Sequence, residues 1–134
     1  MATDAPKNDI HSIEDIQLLV NTFYERIRTD ALLGGIFNGV IGDRWPQHLE
    51  KMYRFWQTVL LEEHTYNGRP FPPHAELPVR AEHFERWLQL WHETVDRFFT
   101  GPLALDAKER GNKMAALFFS KIEYYRNSNA KPLF

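Results

Sequence analysis

The stretch "EEHTYNGRPFPPHAELPVR", residues 62–80, holds four prolines and a glycine within 19 residues. Proline lacks an amide hydrogen and is excluded from helix interiors, so no ordinary helix runs through this segment. Connections of this length without structure of their own are uncommon in compact domains and tend to carry function. Here the segment places His74 directly after Pro72-Pro73 and four residues before Pro78, among the apolar residues Phe71, Leu77 and Val79. Those apolar residues are expected to pack. An imidazole held so tightly beside them asks for a purpose.

On both sides of this segment apolar residues recur at helical spacing. Upstream, a helix is expected over about Asp43–Leu61, with Trp45, His48, Met52, Phe55, Trp56 and Val59 on one face and Pro46 tolerable in the first turn. Before it, a helix over about Ile13–Asp30 carries Ile16, Val20, Phe23, Tyr24 and Ile27. Ser12 is its expected N-cap, and Glu14 and Asp15 suit the dipole of its first turn. Between the two, Gly34-Gly35 in "ALLGGIF" is expected to break helicity. Downstream, a third helix is expected over about Ala81–Thr100, with Phe84, Trp87, Leu88, Trp91, Val95 and Phe98 on one side and Gly101-Pro102 as its end. A fourth opens with Asp106 as N-cap and Glu109 three residues on, a capping-box arrangement. Its stripe is Met114, Leu117, Phe118, Ile122 and Tyr125. Neither strand-like alternation nor an internal repeat is visible, so the expected class is all-α. Residues 1–134 read as one domain with polar tails over about 1–12 and 127–134.

Composition narrows the chemistry. With 134 residues the chain is long enough to bury a real core. No cysteine is present, which excludes disulfides, thiolate metal sites and cysteine nucleophiles. A net charge of −2 argues against a nucleic-acid binder. The polar start "MATDAPKNDIHS" and the absence of a bilayer-length apolar run lead to the expectation of a cytoplasmic protein without membrane association. Three serines, at 12, 120 and 128, without a Gly-x-Ser-x-Gly pattern give no support to a serine nucleophile. No phosphate-binding glycine loop appears, and the carboxylates of "LEEH" and "HAEL" read as solvated charges. Aromatics reach 14%, enough for a large aromatic core or for the walls of a flat pocket.

The six histidines form no zinc pattern. His11 and His64 lie in polar stretches, and His83 and His92 fall off the stripe of the third helix, so all four read as surface residues. His48 shares an apolar face with Trp45, Met52 and Phe55. Tyr24 does the same on the first helix, and Trp87 adds an indole donor on the third. Each alone is most simply a core residue whose polar tip finds a partner. Together, three helices each present one donor on an apolar face, which suits a ligand that develops negative charge in a dry pocket. Spacing alone leaves both readings open. On periodicity and composition, a helical interaction module with His74 merely a loop residue comes first.

A family resemblance changes that order. The segments "NTFYERIRTD", "LLGGIF", "RWPQHLEKMYRFW", "YNGRPFPPHAELP" and "HFERWLQLW" follow one another as they do in the truncated haemoglobins, group III branch. Residues from about Ile13 to Tyr125 resemble that family, and Tyr-Asn-Gly followed by Pro and then His-x-x-Leu-Pro is the most specific part. The resemblance implies a shortened globin, a two-over-two helical sandwich around haem b. It implies His74 as the iron ligand, Tyr24, His48 and Trp87 as distal residues, and Met52 with the Phe55-Trp56 pair as cofactor contacts. His48 is a third donor there or a swinging gate.

The implied function is reversible binding of dioxygen and other diatomics (nitric oxide, carbon monoxide), as in oxygen transport, with nitric oxide dioxygenase or peroxidase-like turnover as an extension served by a reductase. A gas sensor or redox partner acting through a second protein is the alternative. A monomer is expected.

Overall fold

The computed structural model describes residues 6–68, 74 and 77–129. Five helices run in chain order: α1 (Ile13–Thr29), α2 (Gly34–Ile41), α3 (Trp45–Leu61), α4 (Ala81–Phe98) and α5 (Pro102–Asn129). Helix α1 packs on α3 and α4 packs on α5, while α1 also crosses α4 and α3 faces α5. Two helical pairs are thus laid one over the other. Among the described residues there is no strand, and the sole extended pairing is a bridge between Asn8 and Phe99.

The stripe on α1 organises the core. Ile16, Leu19, Val20, Phe23, Tyr24 and Ile27 are all buried, and the Ser12 hydroxyl accepts the Asp15 N–H at 3.2 Å as the expected N-cap. Phe23 meets Trp91 of α4 edge-on at 5.0 Å. Trp91 then stacks on Trp56 of α3 at 4.6 Å. Where α1 ends, one carboxylate joins three helices. Asp30 accepts the N–H groups of Leu32 and Leu33 at 3.1 and 3.0 Å and pairs with Arg86 of α4 at 2.7 Å. Its side chain is 5% exposed. Burial pushes this carboxyl up, but the Arg86 guanidinium and the two amides outweigh it and leave the group below its ordinary value.

Four expectations need correction. Gly34-Gly35 does not interrupt the chain but opens α2. A Cβ on Gly34 would sit 2.7 Å from the carbonyl oxygen of Arg28, so glycine is there to let α2 start against the end of α1. Asp106 is not the N-cap of the last helix, which begins a turn earlier at Pro102. Asp9, 94 and 95 residues away, accepts the N–H groups of Leu103 and Ala104 at 2.9 and 2.8 Å, while Asp106 pairs with Arg110. Ile10 beside it is buried, so part of the stretch read as a polar tail belongs to the core. Finally, Leu117 and Tyr125 are exposed. The buried face of α5 is Ala104, Ala107, Gly111, Ala115 and Ile122 instead. Small residues occupy it because the Trp91 ring leaves no room, and a Cβ on Gly111 would meet that ring at 2.7 Å.

Candidate functional site

A cavity opens between the two helical pairs. Its volume is about 120 Å³, and its lining is almost wholly apolar. Tyr24, His48, Met52, Phe55, Trp56, His74 and Trp87 all line it. Residues from α1, α3, α4 and the segment before α4 therefore converge on one space, with Met114 and Phe118 of α5 closing another wall.

One group of polar tips gathers around Tyr24. Its ring meets His48 edge-on at 5.0 Å and Trp45 at 5.8 Å, and Phe23 next to it meets Trp87 at 5.3 Å. Burial raises the Tyr24 phenol above its ordinary value, so it stays a neutral O–H donor. Burial also pushes the His48 imidazole down to about 4, and the nearby His74 and Lys51 add to the shift. The ring is neutral at pH 7. Its Nε2 is buried and has no hydrogen-bond partner among the described residues, a costly state for a polar atom unless something else occupies the space.

His74 lines the cavity from the segment before α4. Its ring rests on Phe118 of α5 at 4.9 Å and 45°, and its carbonyl accepts the Leu77 N–H at 3.1 Å. His74 itself has 3₁₀ conformation. Val79 is buried and Leu77 half-buried, so the end of the segment packs as expected; Phe71 and the Pro72-Pro73 pair lie outside the described residues.

Two of the histidines read as surface residues are half-buried. His92 Nε2 lies 2.7 Å from Asn112 Oδ1. His83 lines the cavity, and its Nδ1 accepts the Arg80 N–H at 2.9 Å at the start of α4. It escaped the sequence reading because it falls off the apolar stripe. It reaches the cavity because the first turn of α4 stands at the mouth. His11 and His64 are exposed as expected.

The donor set matches haem. Among the described residues no three metal-ligating side chains cluster. Iron already chelated by a macrocycle needs only one imidazole from the protein. The walls are apolar and aromatic, with imidazoles from three different elements (His48, His74 and His83), and His48 carries an unsatisfied buried nitrogen. Among the described residues, no helix is long and apolar enough to cross a membrane.

Comparison with known proteins agrees with this geometry. The bacterial-like globin family matches residues 8–119. A group 3 truncated hemoglobin of Campylobacter jejuni is 35% identical over 116 residues, covering 84% of this chain and 91% of that protein. The crystal structure of the group III truncated hemoglobin from Campylobacter jejuni matches with a TM-score of 0.79 at 34% identity, over 87% of this chain and 95% of that one. The chain belongs to the bacterial-like globins and, among them, to the group III truncated haemoglobins, a family of haem-binding, gas-binding proteins.

Proposed function

We propose that the protein holds haem b through His74 and reversibly binds dioxygen, retaining it with hydrogen bonds from Tyr24, Trp87 and His48. When bound, haem would supply an iron that His74 could ligate and that could take up a diatomic gas. The observation that carries the reading is the buried, unpartnered Nε2 of His48 beside Tyr24, in the cavity that His74 also lines. The chain's part is electrostatic. Tyr24 is held neutral by burial and presents an O–H, and Trp87 presents an N–H that cannot act as an acceptor. Neither group has a hydrogen-bond partner among the described residues, so both are free to face a guest. Met52, Phe55 and Trp56 line the apolar part of the cavity, where they would exclude water and contact the cofactor.

A hydrogen bond to a group that gains charge is worth about 1.5–3 kcal/mol, roughly a ten- to hundredfold slower escape for each good donor. The visible spectrum of the purified protein, its response to His74→Gly with added imidazole, and oxygen dissociation from Tyr24→Phe and Trp87→Phe test the proposal. A Soret band, loss of the five-coordinate ferrous spectrum in His74→Gly with recovery by imidazole, and severalfold faster dissociation in both distal variants are expected. Unchanged dissociation in both would remove the distal roles, and an unchanged spectrum in His74→Gly would remove the axial one. Consumption of nitric oxide or peroxide beyond that of free haem, with a reductant present, would add turnover to binding.

A further inference from the structure

We propose that Arg126, near the end of α5, is the positioning residue for the His74 imidazole; this rests on the assignment of His74 as axial ligand. The Arg126 guanidinium donates through Nη2 to the Val79 carbonyl at 2.8 Å and the Leu77 carbonyl at 3.3 Å. Its Nη1 pairs with Glu123, one turn back, at 3.1 Å. The two carbonyls belong to the segment that begins three residues after His74. The Leu77 N–H in turn donates to the His74 carbonyl at 3.1 Å, and the Val79 N–H donates to the Leu77 carbonyl at 2.9 Å. A continuous run of hydrogen bonds therefore leads from the guanidinium to the backbone of His74.

The segment has reason to need this support. Pro72, Pro73 and Pro78 deprive it of the N–H groups with which a longer helix would hold itself. The Val79 carbonyl, and with it the Leu77 carbonyl, is served by a side chain from outside. A guanidinium suits the task because its fork can serve two carbonyls and a carboxylate at once, whereas an ammonium is a point charge. The same helix supports the other side of His74, whose ring rests on Phe118, two turns before Arg126. With Phe118 against the ring and Arg126 on the following backbone, α5 fixes both the place and the rotation of the imidazole.

The test compares Arg126→Ala and Arg126→Lys with the native holoprotein by two readouts. Hydrogen exchange of the Leu77 and Val79 amides should be about tenfold or more faster in Arg126→Ala, with the amides of α1 unaffected. Resonance Raman spectra of the ferrous form should show the iron–imidazole stretching band broadened and moved to lower frequency. Arg126→Lys, able to reach one carbonyl, should recover part of both effects. A His74→Gly background supplied with free imidazole cuts the tether, and there Arg126→Ala should leave the band where it is. An unmoved band in Arg126→Ala, or the same movement in the His74→Gly background, would overturn the proposal. A band insensitive to His74→Gly would instead overturn the axial assignment, and the proposal with it.

Discussion

Trp87 and Trp91 stand one turn apart on α4, stack on each other at 6.1 Å and 18°, and both meet Phe23 edge-on. Trp91 is fully buried and donates its indole N–H to the Ala107 carbonyl at 2.9 Å. Trp87 is half-buried, lines the cavity, and has no acceptor for its N–H among the described residues. Residue type, helix face and spacing are the same. What separates a structural indole from one free to greet a guest is whether the neighbouring helix brings up a carbonyl. Helix α5 does so at Ala107, where its small residues allow close approach, and turns larger side chains such as Met114 and Phe118 toward the cavity.

The largest expected effect comes from removing the sealed member of the pair. Trp91→Ala should cost about 3–5 kcal/mol in urea unfolding, and Trp87→Ala clearly less; equal losses would break the contrast. Gly111→Ala attacks the same contact from the other helix. With a Cβ 2.7 Å from the Trp91 ring, it should cost about 1–3 kcal/mol by overpacking, whereas an unchanged melting temperature would mean that α5 yields easily there.

Asp30 extends the contrast to a charged group that is fully partnered. Asp30→Asn should cost about 1–2 kcal/mol through the weakened Arg86 pair and the two amides. The native carboxyl lies below its unfolded value of 3.8, so its stabilisation is complete above that value and is lost as pH falls through the native one. Acid titration of stability should therefore be shallower in Asp30→Asn than in the native protein. A parallel pair of curves would deny the shift. The smallest effect has the opposite sign. His48→Leu removes a buried nitrogen without a partner and should stabilise the haem-free chain by about 1 kcal/mol, measured by thermal unfolding, while shortening retention of the bound gas. Destabilisation would show that His48 is already satisfied.

Much of the fold was legible because α1 and α3 carry strong stripes of large apolar residues, and their observed limits differ from the expected ones by a residue or two. Helix α2 was missed because Gly34 serves a close approach to Arg28 that only the tertiary structure reveals. The buried face of α5 was misread for a related reason. Alanine and glycine carry little hydropathic signal, and the larger Leu117 and Tyr125 drew the stripe to the wrong side. Of the site, Tyr24, His48 and Trp87 could be noticed as polar tips on apolar faces, but their meeting in one cavity depends on how helices cross. His74 drew notice through its prolines and gained a role through family resemblance. Arg126 left no mark in the sequence, because its partners are backbone carbonyls some 47 and 49 residues away.

The reach of Asp9 to the start of α5 has a consequence for how the chain is made. At a synthesis rate of about 5–20 residues per second, the carboxylate waits on the order of 5–20 seconds before the amides it caps leave the ribosome. Until then Ile10 and the Asn8 strand bridge also lack their partners. Helix α5, which brings Phe118 to His74, therefore has its start capped by a carboxylate made some 94 residues before it.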